Sequence, residues 1–164
     1  YYSTIRPVST TKLWSELRKQ NDPAKFECPY VVYLHQAWYP CEAQKVFTYE
    51  HPNWLKETND RYGTYSFEAS ESFCCTGFAG YFHCDLYKDI SISIDPATYS
   101  EGMFSWFPIY FPVKTPFRVE KGEKVTLHMW RVSTESNVWY EWNVSSPRVL
   151  PIHNVAGESY AIGK

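Results

Sequence analysis

No stretch of this sequence approaches the ~20 consecutive apolar residues that a bilayer-spanning helix needs. The longest apolar run, residues 106–113, is broken by Pro108 and Pro112, so no membrane span is expected. Neither charge is in excess. The 18 acidic and 16 basic side chains leave a formal net charge of -2, and no general attraction to nucleic acid follows. The five cysteines are an odd number without a CxxC spacing, which signals neither a disulfide framework nor a zinc knuckle and predicts reduced thiols. Glycine is scarce too, at seven residues. None lies in a glycine-rich turn between a strand and a helix, the arrangement that lets backbone amides approach a nucleotide-like cofactor. His35, His51, His83, His128 and His153 are scattered without HExxH or paired spacing, so no metal site is expected. The chain starts at Tyr1, with no initiator Met, basic leader or cleavable apolar segment, and is read as a piece of a longer protein.

What is abundant is aromatic: 10 Phe, 14 Tyr and 7 Trp in 164 residues. Rings in that number favour pleated sheet over a helical bundle. With 44% hydrophobic and 21% charged residues the chain can bury a core, and its length suits one domain. Near the start, Ser9, Thr10 and Thr11 offer N-cap hydroxyls before residues 12–19, where Leu13, Trp14 and Leu17 share a helical face. One short helix is predicted there, stopped by Asn21-Asp22-Pro23. Beyond Pro29 the apolar period falls to two. Ile90, Ile92 and Ile94 alternate with serines; Val125, Leu127 and Met129 alternate with Thr126, His128 and Trp130; Val138, Tyr140, Trp142 and Val144 alternate with Trp139, Glu141 and Asn143. Further strands are expected at residues 30–34, 45–50, 61–69, 77–86, 106–111, 117–120 and 148–153, with turns between them. The fold class is therefore mainly β, an antiparallel β-barrel or sandwich of about nine strands with a short N-terminal helix. Large side chains on both faces of several strands predict cover on both sides, from a barrel interior and a neighbouring domain.

Few groups suggest chemistry. His83-Cys84-Asp85 could pair a nucleophile with a base, but adjacent strand residues point to opposite faces. Glu141, among tryptophans, reads as a hydrogen-bonded structural carboxylate. Asn143-Val-Ser145 matches a glycosylation acceptor and is treated as coincidence. Gly77 and Gly80 are read as relief of crowding in a curved sheet. One segment stands out. In Gly102-Met-Phe-Ser-Trp-Phe-Pro108 three rings flank a serine directly after a loop, and strand alternation would place Phe104 and Trp106 on one face, Ser105 and Phe107 on the other. Such a segment suits a peptide-binding edge, with a ring against a substrate side chain and backbone groups holding an extended peptide.

The blocks Pro29-Tyr-Val-Val32 with Leu34-His35, Gly77-Phe-Ala-Gly-Tyr-Phe82, Leu86-Tyr87 with Asp89-Ile90, Gly102-Met-Phe-Ser-Trp-Phe-Pro-Ile109, Val138-Trp-Tyr-Glu-Trp142, and Ile152-His-Asn154 with Gly157, Ser159-Tyr160 and Ile162-Gly163 occur in order along nearly the whole chain. In these the sequence resembles the C-terminal β-barrel domain of the type II protein arginine methyltransferases, which form symmetric dimethylarginine. The resemblance implies an upstream Rossmann-like domain that binds S-adenosylmethionine and carries the catalytic glutamates, so no catalytic residue and no cofactor site is expected in this segment, which alone should be inactive. It implies that residues 29–164 form the substrate-groove barrel, with Phe104, Ser105, Trp106 and Phe107 at the acceptor peptide. Residues 1–28 would then be a connection, a short helix and a dimerisation arm that uses Arg18, Lys19, Asn21, Asp22 and Pro23. Implied partners are histone tails and Arg/Gly-rich proteins, a second copy of the chain, and a WD-repeat protein held through a missing N-terminal domain, with no direct nucleic-acid contact. A cytoplasmic and nuclear location, with roles in chromatin and transcription regulation, goes with that family. The alternatives are an aromatic-rich carbohydrate-binding β-sandwich and a structural module without a ligand.

Overall fold

The computed structural model describes residues 5–7, 26–32, 39–55 and 57–163. The helix predicted at residues 12–19 lies outside them. Among the described residues there are ten strands: β1 (Ile5–Pro7), β2 (Tyr30–Val32), β3 (Arg61–Glu68), β4 (Phe73–Gly80), β5 (His83–Tyr87), β6 (Ile90–Ser93), β7 (Ile109–Val119), β8 (Lys124–Ser133), β9 (Asn137–Ser146) and β10 (Ile162–Gly163). They form two four-stranded antiparallel sheets, ordered β1-β2-β7-β4 and β10-β9-β8-β3, and a separate β5-β6 hairpin.

The period-two pattern is what drives this arrangement. Along β8, Val125, Leu127 and Met129 turn inward and are buried, and across the register Trp142 and Val144 of β9 do the same. They meet Val113, Phe117 and Val119 of β7 and Cys75 of β4, so the core lies between the two sheets. Phe111 stands edge-on to both Tyr140 and Trp142, at 5.6 and 5.3 Å between ring centres.

The barrel half of the fold expectation is corrected. Among the described residues neither sheet closes on itself. Along the outer edge of β3 runs an irregular segment where a strand was expected at residues 45–50: Gln44 Nε2 donates to the Ser66 carbonyl, and Tyr65 Oη donates to the Val46 carbonyl. Side chains thus blunt that edge in place of a further ladder. The large outward side chains of β8 and β9 also find cover within the chain. Tyr62, His128 and Trp130 stack on one another, and Trp139 lies against the 3-10 turn Val155–Gly157, where a side chain on Gly157 would collide with its indole.

Three further strand expectations shift. Residues 77–86 divide into the ends of β4 and β5 at Tyr81-Phe82. Residues 148–153 form a loop with one bridge, Trp142 to His153. The two strands expected at 106–111 and 117–120 are one, β7, interrupted at a bulge: Gly77 faces Pro112 and Cys75 faces Phe117, so Thr76 alone opposes residues 113–116. Pro112 and Pro116 bracket the irregularity, where a missing ladder donor is tolerated. The crowding read at Gly77 is borne out, since a β-carbon there would overlap the Phe111 carbonyl.

The bulge is closed by the C-terminal tail. The Lys114 N–H donates to His153 Nε2 at 2.9 Å, while the N–H of His153 and its Nδ1–H both donate to the Trp142 carbonyl, at 2.8 and 3.1 Å. Because Nε2 accepts, the ring is neutral with its proton on Nδ1. Next to it Asn154 uses its whole amide: Nδ2 donates to the Tyr140 and Tyr160 carbonyls, and Oδ1 accepts from the N–H groups of Ser159 and Tyr160. Trp142, His153 and Asn154 are all fully buried.

Burial holds the His153 pKa below the ordinary histidine value, with the neighbouring groups contributing less. As pH falls below ~6.5 the unfolded chain takes up this proton before the folded chain does. The stability conferred by the neutral ring is complete above that pH and is lost as pH falls toward the depressed folded pKa, with a slope of up to about 1.4 kcal/mol per pH unit. Denaturant titrations at pH 5.5 and 7.5 should show this loss, and His153→Gln should flatten it. An unchanged dependence in that variant would contradict the neutral-ring assignment.

Candidate functional site

The aromatic segment singled out in the sequence is a turn, and the expected strand alternation through it is corrected. After β6 the chain is tied down by Ser93, itself buried: its N–H donates to Ser100 Oγ at 3.0 Å, its Oγ pairs with Thr98 Oγ1 at 2.9 Å, and its carbonyl accepts from the Ser100 N–H. Asp95 adds a local clasp by accepting from the Ala97 and Thr98 N–H groups. Gly102 then enters the turn at φ +86°, a left-handed conformation that suits glycine. Met103 is buried beneath the turn, while Phe104 and Trp106 are 82% and 57% exposed. Ser105 is exposed with them, and Phe107 is half-buried. All four candidate residues are thus brought together, three of them facing solvent. The far end is pinned where the Val32 N–H donates to the Pro108 carbonyl at 3.1 Å, and β7 begins at the next residue.

Two large exposed rings on a turn with fixed ends do not contribute to the core, which leaves their faces available to a ligand. Trp106 is steadied on one side by Phe82, edge-on at 5.5 Å. Phe82 and Ser93 were not read as supports from the sequence. Phe82 lies within a block noted for its glycines, and the role of Ser93 depends on a fold-back that no spacing encodes.

Other chemistry is not assembled here. Burial pushes the Cys28 thiol up to about 11 and the Cys75 thiol up to about 12, which keeps both protonated and poorly nucleophilic. None of the five cysteines forms a disulfide. His83 Nε2 meets Asp85 Oδ1 at 3.0 Å in an exposed pair on β5. Residues two apart share a strand face, so the intervening Cys84 points the other way. Glu141 accepts from Trp139 Nε1 and from the Ala156 N–H, in keeping with the structural reading of that carboxylate. Asn143 donates its amide to the Leu150 carbonyl at 3.4 Å, and its Oδ1 is buried, which fits the reading of the glycosylation triplet as coincidence.

An open pocket of about 300 Å³ lies at one end of the second sheet, lined by Asp60, Arg61, Tyr62, Trp130, Arg131 and Val132. Its guanidinium groups are committed: Arg61 donates to the Thr58 and Asp60 carbonyls, Arg131 to that of Asn59, and both lie over the Tyr49 ring at 5.0 and 5.5 Å. Tyr62 and Trp130 face each other at 5.0 Å, so their facing surfaces are occupied.

Comparison with known proteins decides the family. The sequence model of the PRMT5 oligomerisation domain matches residues 1–162. The chain belongs to that family. Among full-length relatives, protein arginine N-methyltransferase 5 of Xenopus laevis is 44% identical over 99% of the chain and 27% of its own length, and that of Oryza sativa subsp. indica 42% over 99% and 26%. Protein arginine N-methyltransferase skb1 of Schizosaccharomyces pombe is 38% identical over 98% of the chain and 30% of its own length. The chain therefore spans roughly a fifth to a third of the length of the curated relatives it matches. Gly77 and Gly80, the glycine pair nearest to a cofactor-binding turn in the sequence, lie inside β4 packed on β7 and form no strand-to-helix turn for S-adenosylmethionine. The arm residues Arg18, Lys19, Asn21, Asp22 and Pro23 lie outside the described residues.

The burial pattern predicts opposite outcomes for two tryptophans. Trp106→Ala should cost about 1 kcal/mol of stability or less, as for a surface ring with one aromatic neighbour. Trp142→Phe removes the Nε1 donor to the buried Pro112 carbonyl and should cost about 1–3 kcal/mol. Equal losses in thermal melts of the two variants would contradict the surface placement of Trp106.

Proposed function

We propose that this chain works within a longer polypeptide as the substrate-groove wall and oligomerisation domain of a protein arginine methyltransferase that transfers methyl groups from S-adenosylmethionine to arginine, giving symmetric dimethylarginine. The observation that carries the groove-wall reading is the pinned turn with Phe104 and Trp106 turned outward. The oligomer reading draws on the description of the matching family, and its contacts are proposed at Arg18, Lys19, Asn21, Asp22 and Pro23. The methyl donor and the catalytic carboxylates are assigned to a Rossmann-like domain elsewhere in the polypeptide, so the segment alone is inactive. Proposed substrates are histone tails and Arg/Gly-rich proteins of the cytoplasm and nucleus, which links the enzyme to chromatin and transcription. A WD-repeat partner is assigned to a further N-terminal domain.

The physical case turns on the substrate side chain. Arginine stays protonated throughout the physiological range. An indole face holds a guanidinium by stacking and cation–π attraction worth about 0.5–2 kcal/mol. The same ring excludes water on its side of the groove, which strengthens the hold of carboxylates facing it. Ser105 and Trp106 are assigned to the peptide, with Phe104 and Phe107 bounding or supporting the groove. In the full-length polypeptide, Trp106→Ala should lower kcat/KM for an arginine peptide about tenfold or more, as expected for losing about 1.4 kcal/mol of interaction. Unchanged kinetics in that folded variant would overturn the groove-wall assignment.

A further inference from the structure

The aromatic turn is closed by a weak bond. The Trp106 N–H reaches the Met103 carbonyl at 3.5 Å, beyond the usual range for an N–H donor. The same carbonyl accepts a second donor, Tyr99 Oη, at 3.0 Å. Of the two holds on Met103, the phenol is therefore the firmer one. Tyr99 is 53% exposed, and its hydroxyl is turned back onto the turn. On the other flank, Phe82 supports the Trp106 indole, and the Phe82 carbonyl is fixed by the Ile94 N–H at 3.0 Å and by Ser93 Oγ at 3.4 Å. Trp106 is thus set from two sides, through its ring by Phe82 and through the backbone by Tyr99.

We propose that Tyr99 is a positioning residue for the arginine substrate, directing the Trp106 indole through the Met103 carbonyl. This rests on the groove-wall reading of Trp106 and adds a residue to it. Tyr99 need not touch the substrate. Cation–π attraction requires the cation within about 6 Å of the ring centre, and small displacements of a positioning group are expensive in rate. Without the phenol the Met103 carbonyl keeps only the 3.5 Å bond from the Trp106 N–H, so the backbone that carries the indole is held less firmly.

Tyr99→Phe keeps the ring and deletes only the hydroxyl. In the full-length polypeptide it should raise KM for an arginine peptide about fivefold, the loss expected from one ordinary hydrogen bond, while kcat falls less than about twofold. The melting temperature should stay within about 2 °C of the parent. In a Trp106→Ala background the same change should have no further effect on KM, because the ring it directs is gone. An unchanged KM in Tyr99→Phe, or an equal and additive rise in both backgrounds, overturns the inference. If Trp106→Ala lowers kcat/KM for the peptide and Tyr99→Phe leaves KM unchanged, this inference alone falls. If Trp106→Ala leaves kcat/KM intact, the groove-wall reading falls and takes this one with it.

Discussion

The pair His153 and Asn154, fully buried beside Trp142, ties together parts of the chain that would otherwise separate. His153 joins β9 to the bulge of β7, stacking on the Trp142 indole at 5.4 Å while its two ring nitrogens bond in opposite directions. Asn154 joins β9 to the C-terminal tail with four bonds. Each of these polar groups is away from water, so removing one partner leaves another unsatisfied at a cost of about 1–3 kcal/mol. Apolar contact between the sheets supplies the driving force, and this polar network selects one register for it.

That constraint reaches the candidate site along β7. The strand carries the bulge that His153 closes, and its first residue follows directly on the aromatic turn. A turn grafted to a strand held in this way presents Phe104 and Trp106 from a rigid base. The same two residues in a continued strand would have been spaced by the pleat and drawn toward a sheet face. As a turn, the segment can turn both rings outward with Met103 as its buried anchor. Ligand-facing residues on a loop borne by a firm scaffold are a common solution in binding proteins.

Sequence periodicity made β3, β8 and β9 legible, because their inward residues alternate with outward ones at a period of two; β6 forms where its isoleucines alternate with serines, yet Ile90 is exposed and the buried residue is Ser93. It failed where side chains from distant segments took the place of strand pairing. Residues 45–50 have strand-like composition, yet Val46 is held through its carbonyl by Tyr65 and packs in irregular chain. Two strands were expected where β7 is one, since nothing local announces that a histidine 39 residues away closes the bulge between them. The outward tryptophans of β8 and β9 suggested a closed barrel, which the open sheets do not form, and ring stacking with a C-terminal turn gives these side chains part of their cover. For the site, composition located residues 102–108 and resemblance gave them an expected role. The supports were hidden because Ser93, Phe82 and Tyr99 act through hydrogen bonds and ring edges set by the fold.

The central claim is that this domain supplies one wall of an arginine-methylating groove whose catalytic part lies elsewhere in a longer polypeptide. Its most direct measurement is methyl transfer to an arginine-rich histone-tail peptide, run in parallel on the domain alone and on the full-length polypeptide, with mass spectrometry of the products. Symmetric dimethylarginine is expected from the full-length polypeptide and no product from the domain. A full-length polypeptide that is folded, binds S-adenosylmethionine and yet methylates no arginine would contradict it, as would methyl transfer by the domain alone.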